Sequence, residues 1–80
     1  MTEVFNIPTI ESGLYEHYKG NKYRVLGVGR HTEVDEYFVV YSPLIPKTGA
    51  PAIWLRPHSM FIEMVEVNGE EVPRFRKIEE

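Results

Sequence analysis

The chain has 80 residues and a mass of 9.3 kDa, which allows one small domain. It contains no cysteine, which excludes a disulfide framework and a thiolate metal site. Nine basic residues against twelve acidic ones give a net charge of −3, which argues against a general nucleic-acid binder, because such proteins are strongly basic. Five Tyr, four Phe and one Trp supply enough ring area to close a small core without a disulfide.

The sequence pattern predicts neither an N-terminal signal peptide nor a membrane-spanning segment. Residues 1–10 contain no Lys or Arg and no apolar core of the kind that a signal peptide has. The longest apolar run, Tyr37–Tyr41, is far shorter than the ~20 residues that span a bilayer. These observations predict a cytoplasmic protein without a membrane partner.

The first half of the chain is predicted to form an arm and two strands. Residues 1–12 have little periodicity and are interpreted as an N-terminal arm. Alternating side chains over Leu14–Tyr18 predict a strand, and Gly13 disfavours the competing helix over Thr9–Tyr18. After a Gly20-Asn21 turn, Lys22–His31 is predicted as one long strand, which Gly27 and Gly29 bend or bulge.

The middle of the chain contains a strand, a proline-rich loop and a second, shorter strand. Residues 32–36 form a polar connection, and residues 37–42 are apolar on both faces, which is typical of a covered central strand. Residues 43–51 hold three prolines and are predicted as an exposed loop. Residues 52–56 are predicted as the next strand, and residues 57–60 as a single helical turn with Pro57 at its first position.

The end of the chain carries the strongest hairpin motif. Asn68-Gly69 follows a strand predicted over residues 61–67 and precedes a returning strand over residues 70–75. A two-residue loop pairs Val65 with Val72, whereas a four-residue loop would pair Val67 with Val72, and both alternatives stay open. Pro73 lacks an amide hydrogen, so the returning arm is expected at a sheet edge. The strand that contains Tyr15 is expected to be a second edge.

These elements predict an all-β fold, namely a small SH3-like barrel of five to six strands with a single 3₁₀ turn near residues 57–60. Residues 1–12 form the arm, residues 13–76 the barrel domain, and residues 77–80 a C-terminal tail.

Several segments also resemble a known family. They are GLYEHYKGNKYRVLG over residues 13–27, Arg30-His31, Val39–Tyr41, Trp54–Pro57, Met60-Phe61 and Val72–Phe75. Over residues 13–76 the chain resembles the bacterial domain of unknown function 1653 family. This resemblance implies an SH3-like barrel that stands alone as a small protein. It implies no activity, because the family name records that none is assigned.

The alternation in two strands suggests a binding surface. If Ile53 and Leu55 point into the barrel, then Trp54 and Arg56 point out. In the first strand, Tyr15 and His17 point out if Leu14 and Tyr18 point in, and Tyr41 could join them from the neighbouring strand. Exposed aromatic residues beside an arginine are typical of binding hot spots. The sequence therefore predicts a non-enzymatic binding module for a peptide segment or a small anionic molecule. Its candidate ligand-binding residues are Tyr15, His17, Tyr41, Trp54 and Arg56. The competing interpretation makes Trp54 a core residue and Arg56 an ion-pair partner.

The long predicted strand offers an alternative site for an anion or a nucleic acid. Its basic residues are interleaved with tyrosine, a pattern found in single-strand binding surfaces. The residues of this alternative are Lys19, Lys22, Arg24, Arg30 and His31. The competing interpretation, a solvated strand face, is favoured.

Catalytic and metal sites have less support. His17, His31 and His58 lack the spacing of metal ligands, so neither a metal nor a cofactor is expected. No catalytic residue is assigned, because no serine lies in a recognisable nucleophile motif. A small hydrolase or isomerase with His17 or His31 as general base remains an alternative, and it requires a cleft with a second polar group within hydrogen-bond reach.

Overall fold

The computed structural model describes residues 8–45 and 52–79 of the chain. These residues form seven strands and one short helix, so the predicted all-β class is confirmed. The elements are β1 (Gly13–His17), β2 (Lys22–His31), β3 (Glu36–Pro43), β4 (Trp54–Pro57), α1 (His58–Phe61), β5 (Met64–Val67), β6 (Glu70–Pro73) and β7 (Phe75–Glu79).

The strands form a five-stranded antiparallel sheet and a separate hairpin. The sheet order is β4-β3-β2-β1-β7, and the hairpin consists of β5 and β6. The sheet is strongly curled, since Arg56 on its β4 edge lies 5.5 Å from the ring centroid of Phe75 on its β7 edge. Because the hydrogen-bonded order still ends at β4 and β7, the closed SH3-like barrel stays a prediction.

The hairpin has the two-residue loop. Val65 pairs with Val72 and Val67 with Glu70, which excludes the four-residue alternative. Asn68 and Gly69 have φ values of 52° and 84°, as the tight turn requires.

The long strand β2 has the predicted bounds and the predicted irregularity. Its pairing with β3 shifts register between Val25 and Gly27, which marks a bulge in the bent strand. The first half of β2 pairs with β1 and its whole length pairs with β3, so β2 lies at the centre of the sheet.

The helical turn after Pro57 is confirmed, but it is α rather than 3₁₀. The amide of Ile62 donates to the carbonyl of His58 at 3.1 Å, which is the i to i+4 bond of an α-helix. The turn continues to Phe61, whose side chain is buried. The strand predicted from Phe61 therefore begins only at Met64.

The C-terminal strand corrects two expectations. Strand β1 is not an edge, because it pairs with β2 on one side and β7 on the other. Residues 77–79, expected in a tail, continue β7, and Tyr15 pairs with Lys77. The returning arm with Pro73 is β6, which pairs with β5 in the separate two-stranded hairpin and is an edge there, as expected.

Residues 1–7 of the predicted arm and residues 46–51 of the predicted loop lie outside the described residues. Residues 8–12 contain no helix or strand, but they pack onto the sheet. Ile10 contacts the core, and the carbonyl of Glu11 accepts a hydrogen bond from the Tyr15 hydroxyl at 2.8 Å.

The core lies on the inner, concave face of the curled sheet. Its buried members are Tyr15, Val25, Val39, Tyr41, Phe61 and Phe75. The rings of Phe61 and Phe75 are stacked with centroids 4.0 Å apart, so the helical turn closes the core against β7. At one end of this face β1 and β3 finish while β2, β4 and β7 begin, and the candidate site lies there.

Candidate ligand-binding site

The five predicted ligand-binding residues share one face of the sheet. Tyr41 lies opposite Trp54, and Tyr15 is two residues from His17 along β1. Arg56 lies opposite Val39, a core residue. Residues that oppose each other across a ladder, or that are two apart in a strand, project to the same side. The five residues therefore share a side, but that side is the inner face and not the predicted outer one.

The orientation expected for β4 is wrong. Ile53 and Leu55 are 58% and 62% exposed, whereas Trp54 is partly buried and packs against the core. Tyr15 and Tyr41 are core residues at 7% and 3% exposure, so they cannot belong to an outward patch. The reversal follows from ring size, because turning an indole inward removes more apolar surface from water than turning a leucine inward.

Aromatic rings line the open end of the inner face. Tyr23 lies 5.8 Å from Trp54 and 5.4 Å from Tyr41 between ring centroids. A cleft of about 360 Å³ opens beside these rings. Its lining includes Lys22, Tyr23, Pro43, Leu44, Ile45 and Trp54. This apolar cleft with a cationic rim has the size and character of a binding pocket.

Arg56 contacts two rings of the core. Its Nε donates a hydrogen bond to the Tyr41 hydroxyl at 3.2 Å, and its guanidinium carbon is 5.5 Å from the Phe75 ring centroid. That distance is within the range of a cation–π contact. Within residues 8–45 and 52–79, no carboxylate lies at ion-pairing distance from this guanidinium, although it is partly buried. The structure therefore does not support Arg56 as an ion-pair partner.

His17 contacts the same Phe75 ring. The two rings meet edge to face with centroids 4.9 Å apart, and Nδ1 of His17 accepts a hydrogen bond from the Lys19 amide at 3.1 Å. Burial, followed by the charges of Arg56, Arg74 and Lys19, lowers the pKa of His17 below its ordinary value of 6.5. The imidazole is therefore neutral at pH 7, with its hydrogen on Nε2, where it can donate.

Arg74 adds a further cation beside His17. Its Nη2 pairs with the carboxylate of Glu63 at 2.9 Å, and this contact joins the hairpin to the residues that follow α1. Its Nε is buried, and no hydrogen-bond partner for it occurs in the described part of the chain. Among the described residues, Arg74 thus leaves one donor near His17 without a partner.

Comparison with known proteins gives the family. The model of a family described as a protein of unknown function, DUF1653, matches residues 13–77. The chain belongs to the DUF1653 family. The crystal structure of a DUF1653 protein from Bordetella bronchiseptica has 34% sequence identity to it, covers 88% of both chains and superposes with a TM-score of 0.79. A comparison with curated proteins finds no match.

The basic residues of the alternative site do not converge in this DUF1653 protein. Lys22 and Arg30 are eight residues apart on β2, which is about 26 Å along a strand. Arg30 pairs with Asp35 at 2.6 Å, and His31 accepts a hydrogen bond from the Glu33 amide beside it. Lys19 packs over the Tyr18 ring at 5.9 Å, and Arg24 is exposed.

The three histidines of the DUF1653 protein each contact a different part of the chain. Nε2 of His58 bonds to the Thr9 carbonyl at 2.9 Å. Neither His17 nor His31 is hydrogen-bonded to a carboxylate or hydroxyl in the described residues. No group of three His, Asp or Glu positioned for a metal occurs in residues 8–45 and 52–79. The same residues hold no helix with the length and apolar character to cross a membrane.

Sequence reasoning did not place three residues at this end of the inner face. Lys22 and Tyr23 line the cleft, and the Phe75 ring contacts Tyr23, His17 and Arg56. Tyr23 could have been found, because the Gly20-Asn21 turn places it opposite Tyr15. Phe75 could not, because β7 joins β1 from the far end of the chain and no local pattern specifies that pairing.

Proposed function

We propose that this DUF1653 protein is a non-enzymatic binding module whose ligand presents an anionic group to Arg56. The observation that supports this most directly is a partly buried guanidinium held in place by Tyr41 and Phe75, without a carboxylate partner in the described residues. A guanidinium fixed in this way loses little further freedom when it binds a carboxylate or phosphate through its remaining donors.

The surroundings of Arg56 favour an anion over other ligands. The neutral His17 offers an N–H donor, and Lys22 on the cleft rim has no carboxylate within ion-pairing distance among the described residues. A cationic ligand would meet these charges unfavourably. The aromatic walls suit an anion that carries an apolar portion, which Tyr23 and Trp54 would cover.

The two alternative functions receive less support from the same geometry. A nucleic-acid strand needs a continuous basic track, but the ion pair of Arg30 with Asp35 interrupts the charge of β2. A general base needs an orienting partner, and the imidazole of His17 contacts an amide and a ring instead.

The test is a titration of ¹⁵N-labelled protein with 4-phenylbutyrate at constant ionic strength, followed by NMR. The neutral amide of the same acid is the matched ligand. We expect saturable shifts of the Trp54 indole and of the amides near Arg56 with the acid, and at least tenfold weaker binding of the amide.

Two variants locate the binding charge. R56Q is expected to lose at least tenfold in affinity, whereas R24Q, which removes an exposed arginine from the outer face of β2, keeps it. R56K retains the charge and controls for loss of folding in R56Q. Equal binding of acid and amide, or equal loss in R56Q and R24Q, would overturn the proposal.

A further inference from the structure

We infer that binding of an anion at Arg56 is coupled to binding of a proton at His17, so that the site takes up a proton together with its ligand and holds the anion more tightly as the pH falls. This inference rests on the proposed function and names the pH regulation of that same site. The coupling acts through space and requires no contact between the imidazole and the ligand.

The ring of Phe75 brings the two groups near each other. The imidazole of His17 meets this ring edge to face with centroids 4.9 Å apart, and the guanidinium carbon of Arg56 lies 5.5 Å from the same ring centroid. The imidazole and the guanidinium are therefore separated by at most about 10 Å, which is one Debye length at about 0.1 M salt. A charge on one group acts on the other at this distance.

The cations around His17 come from three parts of the chain. Burial first, and then the charges of Arg56 on β4, Arg74 between β6 and β7, and Lys19 in the turn after β1, lower the pKa of His17 below 6.5. An anion on Arg56 offsets one of these repulsions and adds its own attraction for the imidazolium. The bound ligand therefore raises the affinity of His17 for a proton.

The carboxylates that face the same region are already paired with arginines. Glu16 precedes the histidine on β1 and lines the same cleft, and it pairs with Arg76 of β7 at 2.7 Å. Glu63 pairs with Arg74 at 2.9 Å. Residues 46–51, which precede β4 in the sequence, contain no acidic residue. The charges of Glu16 and Glu63 are thus compensated, and the anion of a ligand changes the field at the imidazole.

The proton has both a path and a defined atom. His17 lines a cleft of about 370 Å³ between β1 and the β5–β6 hairpin, whose other wall includes Val67 and Val72, so solvent reaches the imidazole without unfolding. Because Nε2 of the neutral ring carries the hydrogen, the added proton binds at Nδ1. Nδ1 then no longer accepts the hydrogen bond from the Lys19 amide, and that amide reports the protonation.

Linkage fixes the size and the pH range of the effect. The factor by which the ligand raises the proton affinity of His17 equals the factor by which the proton raises the affinity for the ligand. Binding tightens as the pH falls from the higher pKa of the complex to the lower pKa of the free protein. Below the lower value the gain is complete.

The test uses 3-phenylpropane-1-sulfonate, because its sulfonate group stays ionised between about pH 4.5 and pH 8. The Cε1 hydrogens of the histidines are titrated over this range by NMR, with and without the sulfonate at constant ionic strength. His31, at an exposed position, is the internal control. Affinities are measured at pH 5.5 and pH 7.5 for the unchanged protein and for H17Q, R56Q and R24Q.

We expect the sulfonate to move the titration midpoint of His17 upward and to leave that of His31 in place. The unchanged protein and R24Q should bind at least about threefold more tightly at pH 5.5 than at pH 7.5, whereas H17Q should bind equally at both. In R56Q the sulfonate should not move the His17 midpoint.

The outcomes separate the inference from the proposed function. If the sulfonate binds but its affinity is the same at both pH values and the His17 midpoint stays in place, the inference is overturned while the proposed function stands. A pH dependence that persists in H17Q assigns the proton to another group and also overturns the inference. If neither the sulfonate nor 4-phenylbutyrate binds, both are overturned.

Discussion

The Nε of Arg56 donates a hydrogen bond to the hydroxyl of Tyr41 across the β3–β4 ladder, at 3.2 Å. Tyr41 is 3% exposed and lies among the core rings, whereas Arg56 lies at the margin of the same face. The bond therefore ties the proposed anion-binding group to a buried core residue. A charge fixed in this way is pre-organised for a ligand.

Removing that hydroxyl tests the role of the hydrogen bond. Y41F is expected to lower the free energy of unfolding by about 0.5–1.5 kcal/mol, because Nε then lacks its acceptor. Binding of 4-phenylbutyrate should weaken a few-fold. The matched control is Y23F, because the Tyr23 hydroxyl has no hydrogen-bond partner among the described residues. Urea unfolding and the NMR titration supply both measurements, and an equal effect in Y23F would contradict the assigned role.

The stacked pair of Phe61 and Phe75 is expected to dominate the stability of the core. Phe61 is 1% exposed and also meets Tyr15 and Tyr41 edge to face. F61A should lower the free energy of unfolding by about 3–5 kcal/mol, because it leaves a cavity and removes the ring contacts. M60A in the same helical turn removes a side chain that is 45% exposed, and about 0.5 kcal/mol or less is expected. If urea unfolding showed similar losses of unfolding free energy in F61A and M60A, then the helical turn would not close the core.

The hairpin turn should be sensitive to backbone conformation alone. Gly69 has a φ of 84°, and a Cβ placed there would meet no atom within 4 Å. G69A is therefore expected to lower the free energy of unfolding by about 1 kcal/mol through strain. In G29A the new Cβ would contact Val40 at 3.5 Å, an ordinary packing distance. We expect G29A to destabilise the protein less than G69A does. If thermal unfolding showed a greater loss of stability in G29A than in G69A, it would contradict the turn geometry.

The neutral state of His17 gives a pH dependence with a definite sign. Burial and the nearby charges of Arg56, Arg74 and Lys19 lower the pKa of His17 below 6.5 in the folded protein. As the pH falls below 6.5, the unfolded chain takes up the proton first, so the free energy of unfolding decreases. The decrease continues until the pH passes the lower pKa of the folded state. Urea unfolding at several pH values measures this dependence. H17Q should reduce the change of the unfolding free energy with pH between the folded-state pKa and 6.5, whereas the control H31Q, at an exposed position, should keep it.

Local chemistry explains which parts of the fold could be predicted. The Asn68-Gly69 turn and the bounds of β2 follow from residues whose φ preferences or strand propensities act within a few positions. The pairing of β1 with β7 depends instead on residues more than 50 positions apart. Residues 76–79 are mostly charged, so their own sequence does not predict a strand. Their strand becomes evident only from the partner strand β1, where Arg76 pairs with Glu16.

The sequence could predict which side chains of β1 and β4 share a face, but not which way that face points. Period-two alternation groups Trp54 with Arg56 and Tyr15 with His17, and the structure keeps these groups together. In β4, however, both faces carry large apolar side chains, so alternation alone does not identify the buried one. The burial of Trp54 depends on Tyr23, Tyr41 and the rest of the ring cluster, which only the assembled sheet brings together.

The proposed function requires the Trp54 end of the inner face to be partly exposed and electropositive. The chain has a single tryptophan, so its fluorescence reports on this site alone. Iodide and caesium quench by contact and differ in charge. We predict that iodide quenches Trp54 more strongly than caesium, and that R56Q removes most of the difference while R24Q retains it. No quenching by either ion, or stronger quenching by caesium, would contradict an accessible, electropositive site at Trp54 and Arg56.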